Sequence, residues 1–430
     1  MAELGNRGEL LAGEAAEDVL RKIGPPMIAE GYRFVEEFVI LCDSIPEQGG
    51  TAGRSHETKI EGRTEMSTPM VQENAGKVYE FMKRGNAGLT RETANEVDHD
   101  PASWGMDIDD WDWNAGVGMI AISDYYEKTG KPEILEFMRA WVARNKHQCA
   151  KKDHVNYLAP LAIYPDMFLR TKEAYYRDTA VEYADWVMAS AGRSADGVFY
   201  HGASVSGEVW ADTVFMALVF LSKTAKLTGN SAMAEAVINQ ILAHCRLLQD
   251  PATGVLYHGY HCVEDHHMSG ALWTRGNSWV VIGAPMIIET IRDIVEIPKE
   301  LFERYEKLVS GLLSFQAEDG LWHTVMTRPD FYKETSGSAG VAGGILKAVR
   351  IGMLQPDLLP RARRALDAVV AQISADGGVQ GVSGGTPIMP TIDAYGKLTR
   401  YPTLYGQGLT LLMLSECLYQ DMAGAGKTSS

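Results

Sequence analysis

Asp212 stands in the run Trp210-Ala211-Asp212-Thr213-Val214-Phe215-Met216, a lone carboxyl between large aromatic side chains. If this run opens a helix at the rim of a cleft, the flanking rings keep water from the carboxyl and suit it to donate a proton near neutrality. An Asp at a helix start is equally an ordinary N-cap, so the chemical reading needs neighbours. One neighbour is Asp153 in Asp153-His154-Val155-Asn156-Tyr157, where Asn156 is a rival for the same place. Two carboxyls facing each other across one pocket disfavour double ionisation, so one keeps its proton while the other keeps its charge. Many glycosidases divide acid and base work in that way. Two independent N-caps would give the same pattern.

A third group is Trp273-Thr274-Arg275-Gly276-Asn277-Ser278-Trp279. An Arg between two indoles, with a Gly allowing close approach, can hold a carboxylate on a ring stacked against tryptophan. A cation–aromatic packing cluster is the alternative. Trp111 and Trp113 repeat the theme further up the chain, and Trp210 adds another indole beside Asp212. His258 closes a turn that should point it into the same opening. The run from His258 to His267 is rich in metal-ligating types, but its spacing fits no zinc motif. The glycines at 337, 340, 343 and 344 lie in a helical context with no strand before them, so no dinucleotide fingerprint is present. Neither a metal nor a nucleotide cofactor is expected.

These residues must be held by something, and internal repetition says what. A turn of the form Asp/Thr-Gly-apolar recurs at Asp196-Gly197-Val198-Phe199-Tyr200-His201, Thr253-Gly254-Val255-Leu256-Tyr257-His258 and Asp319-Gly320-Leu321-Trp322-His323, and degenerates at Asp376-Gly377-Gly378-Val379. The glycines are roughly 60 residues apart, the length of two helices with their loops. Six segments apolar on nearly all faces begin near Trp111, Asp153, Trp210, Trp273, Ser336 and Pro402, and six amphipathic ones precede them near 69–85, 131–147, 172–191, 231–249, 298–317 and 358–374. Buried helices alternating with amphipathic ones describe an all-α (α/α)6 barrel, a six-hairpin toroid. All inner helices then run the same way, so their N-termini share one mouth. Heads of adjacent inner helices sit roughly 10 Å apart, which lets Asp153 and Asp212 face each other.

The chain has 430 residues with no interdomain linker pattern, which reads as one large domain over 67–421, an N-terminal extension over 1–66 and a flexible tail over 422–430. Within the extension, two short helical patterns at 8–22 and 27–42 are split by Gly24-Pro25-Pro26. A net charge of −16 without a basic block makes nucleic acid a poor partner and points to a small ligand held by few local cations. Cys42, Cys149, Cys245, Cys262 and Cys417 are scattered without CxxC spacing, and no apolar run reaches membrane-spanning length. A cytoplasmic protein without a membrane partner is expected. Composition says nothing of oligomeric state.

Taken together, Trp-x-Asp-Thr-Val-Phe-Met at 210–216, Gly-Val-Leu-Tyr-His-Gly at 254–259, Trp-x-Arg-Gly-Asn-Ser-Trp at 273–279, Glu-Thr-Ser-Gly-Ser-Ala at 334–339 and Tyr-Gly-Gln-Gly at 405–408 resemble the unsaturated rhamnogalacturonyl hydrolases of glycoside hydrolase family 105, relatives of the family 88 unsaturated glucuronyl hydrolases. The resemblance covers about 69 to 420. It implies the (α/α)6 barrel, a metal-free reaction, Asp212 as the central acid/base and Asp153 as a second site carboxylate. It also implies a sugar pocket with His258, Trp273, Arg275 and Trp279 on its walls and Trp113 at a position that is often aromatic. The implied substrate is a small oligosaccharide ending in a uronic acid with a C4=C5 double bond. Toroid epimerases and mannosidases, and a non-catalytic sugar-binding barrel, are the alternatives; Trp210-x-Asp212 together with Trp273-x-Arg275 argues against the first, and the second has no need of Asp212.

Overall fold

Helices that are apolar on every side are stable only when other layers cover them, and the computed structural model covers them by closing a ring. It describes residues 68–85, 105–149, 154–202 and 205–425, with side chains to 419. The helical patterns at 8–22 and 27–42, and Asp153, lie outside the described residues.

The outer helices are α1 (Thr68–Met82), α3 (Pro132–Asn145), α5 (Ala174–Ser190), α7 (Ser231–Leu248), α9 (Lys299–Ser314) and α11 (Leu359–Val370). The inner ones are α2 (Trp113–Thr129), a 3₁₀ stretch Val155–Ile163 running into α4 (Tyr164–Thr171), a π-turn Val214–Leu218 running into α6 (Val219–Thr228), α8 (Thr274–Ile291), α10 (Thr335–Arg350) and α13 (Leu404–Ala425). Inner neighbours pack in chain order, and α13 packs on α2 to close the barrel. Helix α13 continues to Ala425, past the boundary expected at 421. Every residue of α8 from Thr274 to Ile288 is buried, as is α10 from Thr335 to Ala348. Small residues let these two helices touch: a Cβ on Gly337 or Gly340 of α10 would collide with Arg275 or Ser278 of α8.

The recurrent turns are physically alike. Gly197, Gly254, Gly320 and Gly377 have φ of 80°, 83°, 102° and 99°, a region in which glycine alone is unstrained. Each glycine carbonyl receives a glutamine side-chain amide, from Gln240, Gln249, Gln316 and Gln407 in that order, at 2.7–2.9 Å. The turns therefore hold the strand-like segments after them in register against the inner helix heads.

The two ends of the barrel differ in chemistry. At the C-terminal ends of the inner helices, Lys347 and Arg350 of α10 pair with Glu289 of α8 and Glu416 of α13. The N-terminal ends form the other mouth, where Trp113, Asn156, Asp212 and Arg275 meet.

His244 on α7 has a titration consequence. It is fully buried, its Nδ1 lies 2.7 Å from the Gln240 carbonyl, and Nε2 has no partner. Burial pushes its pKa down from 6.5 to about 4. Below pH 6.5 the unfolded chain takes up a proton that the folded chain refuses, so this stability is present above 6.5 and is lost as pH falls toward 4. We expect about 2 kcal/mol of stability to disappear between pH 7 and pH 5 through this group. Denaturant midpoints at the two pH values should converge in a His244→Phe variant, and an unchanged pH slope would refute the assignment. His201, whose pKa burial and neighbouring histidines hold well below its usual value, acts in the same direction.

Candidate active site

A short antiparallel sheet brings the chemistry together. β1 (Glu208–Trp210) pairs with β2 (Gly259–His261), which pairs with β3 (His266–His267), and the first ladder sets Trp210 opposite Gly259. The Ala211 N–H then donates to the His258 carbonyl at 3.0 Å, placing Asp212 and His258 side by side. The turn carrying His258 is fixed in turn by Asn277 of α8, whose side chain accepts from the Leu256 N–H at 2.7 Å and donates to the Leu256 carbonyl at 2.9 Å. Directly after Asp212 the helix begins as a π-turn, a wider coil that is frequent at functional sites.

The Asp212 carboxyl caps nothing. The N–H groups of Phe215 and Met216 both go to its backbone carbonyl, and the first position of the π-turn has no side-chain cap. Its Oδ2 is buried without a hydrogen-bond partner and lies 3.5 Å from His258 Nε2, which also has none. Around it is a pocket of about 590 Å³, counting its open mouth, lined by Trp113, His154, Asn156, His201, Trp210, Asp212, Met216, Trp273, Arg275, Thr386 and Pro387. That size suits a small ligand. Among the described lining residues Asp212 is the only carboxyl and Arg275 the only lysine or arginine.

The walls are aromatic. Trp210 stacks on His201 at 4.4 Å between ring centres with 2° between planes, and its indole N–H donates to Glu208 at 2.7 Å. Trp113 stacks on Tyr405 at 4.7 Å. Trp273 lies against His258 at 4.2 Å. The His154 Nδ1 accepts the Asn156 N–H at 3.2 Å, which turns the start of the 3₁₀ stretch toward the pocket.

Arg275 is held more tightly than its sequence neighbourhood foretells. One terminal nitrogen donates to Ser383 Oγ at 2.6 Å and to Glu334 at 3.3 Å; the other donates to the Gly384 carbonyl at 2.9 Å and Thr386 Oγ1 at 2.8 Å. Trp273 and Tyr405 lie over the guanidinium at 4.6 and 4.7 Å. Only its Nε is without a partner. Glu334 in turn caps α10 through the Gly337 N–H at 2.6 Å.

The structure thus gathers Trp113, Asn156, Trp210, Asp212, Trp273 and Arg275 on one pocket, with His258 touching Asp212 from behind. Trp279 is not on the wall: one turn deeper than Arg275, it is fully buried and meets Trp113 edge-on at 6.3 Å and Phe215 at 5.3 Å. His154, Met216, Thr386, Pro387 and Tyr395 were not singled out from sequence. His201 was legible, since it closes the same turn as His258. In the run from His258 to His267, His266 pairs with Glu264 at 2.9 Å, and among the described residues no three His, Cys, Asp or Glu side chains converge on one point.

Comparison with known proteins gives the family and the fold. The family model for glycosyl hydrolase family 88 matches residues 89–420. The unsaturated rhamnogalacturonyl hydrolase YesR of Bacillus subtilis is 30% identical over 327 residues, covering 72% of this chain and 90% of that protein. A crystal structure of a possible family 105 member from Salmonella enterica superposes with TM-score 0.76 at 26% identity, over 86% of this chain and 100% of that one. The unsaturated glucuronyl hydrolase of Bacillus sp. GL1, at 18% identity and TM-score 0.60 over 80% of this chain and 96% of its own, shares the fold. This chain is a glycoside hydrolase and belongs to glycosyl hydrolase family 88.

Proposed function

We propose that the enzyme removes a terminal 4,5-unsaturated uronic acid from oligosaccharides of the unsaturated rhamnogalacturonyl type. The observation that carries this reading is that Asp212, whose buried Oδ2 has no hydrogen-bond partner, brings the only carboxyl among the described lining residues of the pocket. Displacement at an anomeric carbon needs two carboxyls, one to protonate the leaving oxygen and one to attack or activate water. An enol ether asks less of the protein. Asp212 gives its proton to C4, and the positive charge that results is shared between C5 and the ring oxygen. The Asp212 carboxylate then takes a proton from water as the water oxygen bonds to C5. The hemiketal so formed opens without further help and the neighbouring sugar leaves.

The uronate carboxylate lies on the Arg275 side of the pocket, toward the one guanidinium among the described lining residues. Asn156 supplies a second polar contact to the sugar, and the indoles of Trp113, Trp210 and Trp273 cover its faces. The name of the relative YesR supports the choice of substrate class. We also place the enzyme in the cytoplasm, a reading supported by five scattered cysteines without CxxC spacing. Among the described residues no helix is long and apolar enough to cross a membrane.

The test is optical. Offered a panel of oligosaccharides made by polysaccharide lyases, the enzyme should abolish the absorbance of the conjugated C4=C5 bond on at least one of them. Saturated counterparts should be left intact. Cleavage of the saturated sugars, or no loss of absorbance on any lyase product, would overturn the proposal.

A further inference from the structure

His258 Nε2 and Asp212 Oδ2 approach to 3.5 Å, both buried and neither with any other partner. Whether that approach attracts or repels depends on which ring nitrogen of His258 carries the proton. The answer lies on the far side of the ring. His258 Nδ1 is 2.8 Å from the phenol oxygen of Tyr395. Tyr395 closes α12 (Ile392–Tyr395), a short helix capped by Thr391, in the segment between α11 and α13. It belongs to a small apolar cluster with Ala271, Trp273, Val325, Met389 and Leu398, separate from the barrel core.

The phenol oxygen accepts one hydrogen bond, from the Met389 N–H at 3.1 Å, and His258 Nδ1 is its one other hydrogen-bond partner among the described residues. In this buried setting the phenol proton needs an acceptor, and His258 Nδ1 is the one in place. Burial and the Asp212 charge push the Tyr395 pKa up to about 12, so that proton stays in place.

We propose that Tyr395 is a positioning residue for the reaction: its phenol proton goes to His258 Nδ1, which leaves the proton of the imidazole on Nε2, aimed at Asp212 Oδ2. This inference rests on the reading of Asp212 as the acid and base of the hydration. In the step that protonates C4, Asp212 becomes a carboxylate and Nε2–H stands ready to donate to it. In the opposite tautomer the Nε2 lone pair would face Asp212, draw its proton toward the imidazole and repel the carboxylate left after transfer. Tyr395 is not itself among the lining residues of the pocket, although it packs on Trp273; it acts through His258.

Two measurements on the full chain decide the matter. Carbon-13 and nitrogen-15 spectra of histidine-labelled protein distinguish the two neutral tautomers, and the His258 signals are identified by their absence in His258→Gln. The wild type should show His258 protonated at Nε2, and Tyr395→Phe should lose that signature. On a lyase product, Tyr395→Phe should lower kcat roughly 10- to 100-fold while KM stays within a factor of about two, the pattern of a misoriented catalytic group. An Nδ1-protonated wild-type His258 overturns the inference, as does an unchanged kcat or an unchanged tautomer in Tyr395→Phe. Should that variant not fold, the wild-type spectrum decides alone. The spectra need no substrate, so an enzyme inactive on unsaturated uronides refutes the proposed function and leaves the tautomer question separately answerable.

Discussion

Replacing Asp212 by Asn should lower turnover by at least the roughly 10²–10⁴-fold contributed by a positioned acid–base group, without unfolding the protein. The amide keeps the size of the carboxyl and can still accept the His258 N–H, but it neither gives a proton to C4 nor takes one from water. A structural role predicts the opposite result. Asn caps helices as well as Asp, and the carboxyl makes no cap in any case, since the N–H groups of Phe215 and Met216 both bond to the backbone carbonyl of Asp212. Thermal midpoints of wild type and Asp212→Asn should therefore agree closely while their rates separate. Running the wild type in heavy water gives an independent check on the reaction itself. Protonation at C4 leaves one solvent deuteron there in the released keto-uronate, whereas displacement at the anomeric carbon leaves C4 unlabelled. An active Asp212→Asn enzyme would mean that another group is the acid, and an unlabelled product would mean another reaction.

The parts of the molecule that repeat were legible, and those that depend on one distant partner were not. The turn at Gly254 could be read because a positive φ restricts the residue type, and the same constraint recurs at Gly197, Gly320 and Gly377. The inner helices could be read because α8 and α10 are apolar or small on every side. Asp212 and His258 could be expected at one mouth, the first at an inner helix head and the second closing a turn that points there, although the ladder between Trp210 and Gly259 that sets their contact has only three residues a side. The family resemblance implies Trp279 on the pocket wall, and helix geometry explains why it is not there: one turn beyond Arg275 is about 5.4 Å deeper, beneath Trp113. Tyr395 carries no local signal, because what it does depends on His258, 137 residues away. Glu334 was visible in a family motif, but its bond to Arg275 spans 59 residues and joins two helices.

That Arg275–Glu334 pair is the source of the second large effect. Both side chains are essentially inaccessible, 1% and 0% exposed, and the pair ties the heads of α8 and α10 to the segment at Ser383. Removing one member strands the other charge away from water, which costs about 3–5 kcal/mol. We expect Glu334→Gln and Arg275→Met each to lose stability on this scale in denaturant titrations. The double variant should be more stable than the sum of the two losses implies, because it leaves no uncompensated charge. Activity then separates the two roles open to Arg275. A guanidinium that only ties α8 to α10 predicts that the double variant regains binding together with stability. A guanidinium whose charge also holds the uronate predicts recovered stability with KM still raised, by roughly 10- to 100-fold for a lost charge-assisted interaction of about 1.5–3 kcal/mol. We expect the second result, because Arg275 is the only lysine or arginine among the described residues of the pocket. A double variant with wild-type KM would place the recognition of the substrate carboxylate elsewhere in the pocket.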